Sequence, residues 1–188
     1  SANTFFKPNA PQLLITHAFR PDDYTGCLAA AEDVWTLRRA LRNRFDIVVY
    51  PAVQIEEFSN RLRELRHLLA WVHIGHGNGE QGLQQAGGEF KAAEEWLSCF
   101  EAYDKSLSLA LFSSCKSDIV ARKFAEAGGA LSIGFRREVP KNICGEMTVA
   151  LIRAAFESGG NRDRILVAFQ RKRIRFADAE PVAFSAKH

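Results

Sequence analysis

Two residues in this chain have the type and placement for nucleophilic chemistry. Cys115 closes the segment Leu109-Ala110-Leu111-Phe112-Ser113-Ser114-Cys115, and His76 lies in Trp71-Val72-His73-Ile74-Gly75-His76-Gly77. Each follows a short apolar run that reads as a buried strand. A thiol beside an imidazole base can attack a carbonyl and carry an acyl group. Gly77 offers an unhindered N–H next to His76, and the N–H of Cys115 is the natural second donor, so the two together suit an oxyanion hole. A helix is expected to begin just after Cys115, and its N-terminal end favours a thiolate.

Other chemistries fit less well. His73 and His76 are three apart, so on a strand they point to opposite faces, and no Asp, Glu or Cys cluster completes a metal set. No metal site is expected, and His73 reads as a core residue. His17, at the end of the first strand, reads as packing or loop structure. Gly75, Gly77, Gly79 and Gly82 could cradle phosphates, yet there is no GxGxxG opening a helix and no GxxxxGK[ST]. Ser113 and Ser114 sit in no G-x-S-x-G elbow and read as turn hydrogen-bonders. No acidic third member of a triad can be assigned. Asp118 and Glu80, the nearest in sequence, read as exposed loop or helix-start residues.

The elements that must position His76 and Cys115 follow from hydrophobic periodicity. Leu13-Leu14-Ile15, Ile47-Val48-Val49-Tyr50, Trp71 to Ile74, Leu107 to Phe112 and Ala130 to Phe135 read as five strands. Helical spacing runs from Leu28 to about Arg42, through Phe58, Leu62, Leu65 and Leu69, and through Trp96, Leu97, Phe100 and Tyr103. Further helices are expected from about Ser117 to Ala127, stopped by Gly128-Gly129, and around Gly145 to Glu157 and Asp163 to Arg173. The glycine-rich stretch Gly75 to Gly88 is a loop with room for a small hairpin. Strands alternating with helices imply βαβ crossovers, hence an α/β domain with a mostly parallel sheet and helices on both faces. One domain is expected over 1–188, with 1–11 an irregular lead-in and 174–188 a C-terminal tail.

Composition sets the class. The 188 residues are 47% hydrophobic and 25% charged, the balance of a globular chain with a core of its own. Apolar runs fall well short of the roughly 20 residues that cross a bilayer, so no membrane partner is expected. A net charge of +3 is too small to argue for nucleic acid, and the cluster Arg171, Lys172, Arg173 and Arg175 reads as a solvated helix face. The first residues show no basic-then-apolar leader pattern, and Cys27, Cys99, Cys115 and Cys144 show no CxxC spacing. Reduced thiols in a cytoplasmic setting are therefore expected.

The order and spacing of these segments resemble the caspase-like cysteine peptidases (clan CD), and within them the CHAT-type domains found mostly in prokaryotes. The resemblance rests on Val72-His73-Ile74-Gly75-His76-Gly77, on Leu111-Phe112-Ser113-Ser114-Cys115-Lys116-Ser117, and on the run from Phe124 to Gly134. The helices at Met147 to Phe156 and Ile165 to Gln170, and Gly26-Cys27 through Asp33-Val34 and Leu37, extend it from about Leu13 to Arg173. It implies a three-layer α/β/α sandwich and peptide-bond hydrolysis, with Cys115 as nucleophile, His76 managing the proton, and the Gly77 and Cys115 N–H groups holding the oxyanion. No cofactor takes part in the chemistry of such enzymes, although some metacaspases need calcium for activation. The implied partners are a protein substrate and a regulatory domain or activator, in a larger protein of a bacterial antiviral or cell-death system.

The chain departs from known subtypes at the specificity pocket. Ser113 stands where metacaspases carry an acidic residue, and there is no Gln-Ala-Cys. The segment Phe135-Arg136-Arg137-Glu138-Val139 corresponds to the strand that pairs with substrate in relatives. Arg20, Arg136 or Arg137 facing the pocket would favour an acidic P1 side chain, and Asp22, Asp23 or Glu138 a basic one, so the preference stays open. The alternative reading is a catalytically inactive caspase-like domain that serves as a protein-interaction module.

Overall fold

The computed structural model describes residues 9–101, 107–128 and 130–186. Five parallel strands form the centre: β1 (Gln12–His17), β2 (Asp46–Tyr50), β3 (Leu68–Ile74), β6 (Leu109–Ser113) and β7 (Leu131–Phe135). A short hairpin, β4 (Leu83–Gln84) and β5 (Phe90–Lys91), leaves the sheet between β3 and β6. The last strand, β8 (Pro181–Phe184), pairs antiparallel with β7, so the sheet reads β2-β1-β3-β6-β7-β8.

Alternation along the strands divides the core into two layers. Leu13, Ile15, Val72, Leu109, Leu111, Leu131 and Ile133 face one side. There they meet α1 (Tyr24–Leu41), α5 (Val149–Glu157) and α6 (Arg162–Arg173) through Leu37, Leu151 and Ile165. Leu14, Trp71, Ala110 and Phe112 face the other. They pack on α2 (Ile55–Arg63), α3 (Ala93–Ser98) and α4 (Asp118–Gly128) through Phe58, Trp96 and Phe124. Trp71 contacts the rings of Phe58, Phe100, Phe112 and Phe124 at 4.9–5.6 Å between centroids. Each such buried ring stabilises the sheet by roughly 1.5–3 kcal/mol. The helices therefore lock the strand ends on which the reactive residues ride.

Three boundaries differ from expectation. The apolar spacing continues to Leu69, but α2 stops at Arg63. Past it the N–H groups of Arg66 and His67 donate to the Gln12 carboxamide oxygen at 2.8 and 2.9 Å, which turns the chain into β3. α3 ends at Ser98, and Tyr103 lies outside the described residues, as does Gly129. The residues after Arg173, expected as a tail, instead form tight helical turns (Ile174–Ala179) and then β8.

Candidate active site

β1 has β2 on one side and β3 on the other, so the chain reverses its winding there and opens a crevice beyond the carboxyl ends of β1 and β3. The loop after β3 carries His76 into that crevice. Ile74 of β3 pairs with Ser113 of β6, so His76 and Cys115 each lie two residues past one paired position. The shared register brings them to adjacent loops at one sheet edge.

The two loops touch. A Cβ placed on Gly77 would overlap the Cys115 carbonyl oxygen and stand 3.2 Å from the Ser114 Cβ, so only glycine allows this approach. The Gly79 N–H donates to the Lys116 carbonyl at 3.0 Å, a second link between them. Lys116 is held at φ +49°, a left-handed conformation that costs a non-glycine residue about 1–2 kcal/mol. Its N–H donates to the Arg137 carbonyl at 3.3 Å. Below it, the buried Ser117 hydroxyl donates to the Phe112 carbonyl and accepts from the Phe135 N–H, both at 3.1 Å. The Cys115 loop is thus tied to β6, to β7 and to the His76 loop.

Cys115 is half-buried, and the Val139 N–H donates to its sulfur at 3.4 Å. It sits three residues ahead of the start of α4. The other thiols are different. Cys99 and Cys144 are buried, and burial pushes both above the ordinary thiol range. Cys27 is partly exposed and donates to the Arg20 carbonyl. Among the described residues no acceptor takes the N–H of Gly77 or of Cys115, which leaves both donors available to an oxyanion.

The His76 ring is more than half exposed and stands edge-on to Phe19, with centroids 5.2 Å apart. Its Nε2 faces the Asp23 carboxylate at 4.0 Å. Asp118 and Glu80 make no ion pair with it among the described residues. His73 is fully buried between Trp71 and Trp96 and is held neutral by desolvation, its pKa lowered to about 3. One ring nitrogen, Nδ1, bonds to the Thr16 hydroxyl at 2.8 Å. The two histidines do not converge, and no group of three or more His, Cys, Asp or Glu side chains gathers among the described residues. Burial also lowers the pKa of His17, which stacks on Phe19. Ser113 and Ser114 are buried beneath the loop.

No protein-family model matches the sequence, and no curated protein matches it. Solved structures do. The crystal structure of caspase-1 from Spodoptera frugiperda superposes with a TM-score of 0.54 at 14% identity, covering 98% of this chain and 96% of that one. The structure of the pro-form of the same caspase gives 0.52 at 15% identity over 94% and 90%. The fold is caspase-like. The likeness is one of architecture: a mostly parallel central sheet with helices on both faces.

Of the residues expected to meet substrate on this caspase-like frame, two line an open groove of about 610 Å³ that includes Val139, whose N–H meets the Cys115 sulfur. Arg137 and Glu138 form one wall with Val139 and Pro140, and Arg175, Phe176 and Asp178 the other. The Arg136 and Arg137 N–H groups donate to the Glu180 and Ala179 carbonyls, so this stretch is already bonded on one side to the turn that leads into β8. Phe135 is fully buried, and its main chain bonds to Ser117. Arg20 is exposed on the β1 side and pairs with Asp22 at 3.2 Å. Sequence reasoning named Asp23 only as a possible specificity residue and missed its place beside His76. Its signal was a helix N-cap: the Asp23 side chain accepts the Gly26 N–H at 2.9 Å.

Proposed function

We propose that this chain is a CHAT-type cysteine endopeptidase. In this reading the Cys115 thiol passes its proton to His76 and attacks the scissile carbonyl of a protein substrate. The Gly77 and Cys115 N–H groups hold the resulting oxyanion, and its collapse breaks the C–N bond as His76 gives that proton to the leaving amine. Water then attacks the thioester, His76 takes its proton, and the thiol is restored. The observation that carries the proposal is the contact between the Gly77 backbone and the Cys115 carbonyl, which places both loops at one sheet edge of a caspase-like fold.

The domain would work in the cytoplasm of a bacterial defence or cell-death system, held in check until a regulatory domain or activator engages it. No helix among the described residues is long and apolar enough to cross a membrane. The test is cleavage of a diverse peptide library by the wild type, Cys115→Ala and His76→Ala. Cleavage lost in both variants supports the dyad, whereas cleavage that survives Cys115→Ala overturns it.

An inactive interaction module is the second reading. The observation favouring it is the apolar run on α1, where Tyr24, Leu28 and Trp35 are 83%, 63% and 60% exposed. A protein silent on every peptide even after its activator is supplied would support that reading.

A further inference from the structure

We infer that Asp23 is the positioning residue that fixes the ring orientation and tautomer of His76, so that Nδ1 is left as the free base. The inference rests on the proposed peptidase reading for its catalytic consequence. Its structural content stands on geometry.

Three contacts hold the arrangement. First, the Asp23 carboxylate is anchored as the N-cap of α1: Oδ1 accepts the Gly26 N–H at 2.9 Å, which leaves Oδ2 to face His76 Nε2 at 4.0 Å. Second, the Phe19 ring stands at 89° to the His76 ring and limits its rotation. Third, Gly26 makes room for both. A Cβ there would overlap the Phe19 ring and come within 2.6 Å of Asp23 Oδ2. The neighbouring acid Asp22 is turned to Arg20, so Asp23 is the carboxylate directed at the imidazole.

The chemical consequence follows from which nitrogen the carboxylate meets. An anion beside Nε2 favours a proton there, and the neutral imidazole then carries its basic lone pair on Nδ1. The separation of 4.0 Å is longer than a hydrogen bond, as is common where a catalytic contact tightens only with substrate bound.

Asp23→Asn is the discriminating variant. Asparagine caps α1 as well as aspartate does, so folding is preserved. With the amide oxygen still accepting the Gly26 N–H, the NH₂ group turns to His76 Nε2 and demands a lone pair from it, which moves the ring proton to Nδ1. The base is then the wrong tautomer. Gly26→Ala instead loosens the contact with both partners chemically intact, by pushing Phe19 and the carboxylate aside.

The experiment is nitrogen-15 NMR of the histidine rings in the wild type and Asp23→Asn, with melting temperature and peptide kinetics on the same samples. The expected result is an Nε2–H tautomer at His76 in the wild type and a shift toward Nδ1–H in Asp23→Asn. The melting temperature should be unchanged within about 2 °C, since the cap is kept. kcat should fall about 10- to 100-fold, with KM within about twofold. An Nδ1–H tautomer in the wild type, or the same ring signals in both proteins, overturns the inference whatever the kinetics show. The expected tautomer shift in a protein that cleaves no peptide would uphold the role of Asp23 and count against the peptidase reading instead.

Discussion

Gly77→Ala probes the contact on which the site depends. The added methyl would lie about 1 Å inside ordinary contact distance of the Cys115 carbonyl oxygen. That oxygen cannot retreat freely, because the following residue, Lys116, is pinned by Arg137 on one side and Gly79 on the other. The loops must therefore part by about 1 Å, and a displacement of that size at reacting groups costs about 100-fold in rate. Displacing one oxyanion donor has a similar effect, so kcat/KM should drop about 10²-fold, or about 2.7 kcal/mol in the barrier. The assay is cleavage of the best library peptide, with thermal melting as the check on folding. Gly79→Asn is the matched control: nothing lies within 4 Å of its Cβ, and asparagine tolerates the φ of +55°. It should keep activity within about twofold. A Gly77→Ala enzyme as active as the wild type would refute the claim that this approach aligns the site.

Three further outcomes are expected. Ser117→Ala strips partners from the Phe112 carbonyl and the buried Phe135 N–H, at a cost of about 2 kcal/mol, so the melting temperature should fall by about 4–8 °C. A change under about 1 °C would contradict the bonding described. His73 is neutral in the fold and has a pKa near 3 against an ordinary 6.5, so the stability it confers is complete above pH 6.5 and declines as pH falls toward 3. The decline is about 1.4 kcal/mol per pH unit, and His73→Leu should lose that slope in urea titrations between pH 7 and 4; parallel curves would count against burial of a neutral ring. Iodoacetamide at neutral pH should modify Cys115 before any other thiol, with Cys99 and Cys144 protected until unfolding. Peptide mapping that finds early label on Cys144 would contradict the packing.

Much of this architecture is legible in the sequence because buried parallel strands write themselves as apolar runs. Leu13 to Ile15, Ile47 to Tyr50, Trp71 to Ile74 and, from Leu131 on, Ala130 to Phe135 fall on strands of the sheet, and the fold class follows from their alternation with helices. Leu65 and Leu69 misled because they are core residues in a turn and a strand, yet they continue the helical spacing of Phe58 and Leu62. β8 was hidden because four residues beginning with proline carry little strand signal, and its pairing with β7 is a tertiary fact.

The candidate site was legible where it depends on strand ends. His76, Gly77 and Cys115 stand at the exits of β3 and β6, where an apolar run stops and the reactive side chain follows within two residues. Asp23 was not read in its role, because apolar spacing on α1 becomes regular only from Leu28. The first turn, Tyr24 to Cys27, is exposed or half-exposed and gives no periodic signal, so the cap that begins the helix went unread. The side chains that line the groove come from 137–142 and 175–179, segments that meet only once β8 is in place.

The most direct test of the central claim is intact-mass spectrometry after incubation with peptidyl acyloxymethyl ketones that span acidic, basic and apolar P1 side chains. The account predicts a single adduct, mapped to Cys115, absent in Cys115→Ala and formed at least about tenfold more slowly in His76→Ala. An adduct on another residue, or labelling of Cys115 at the same rate without His76, would contradict it.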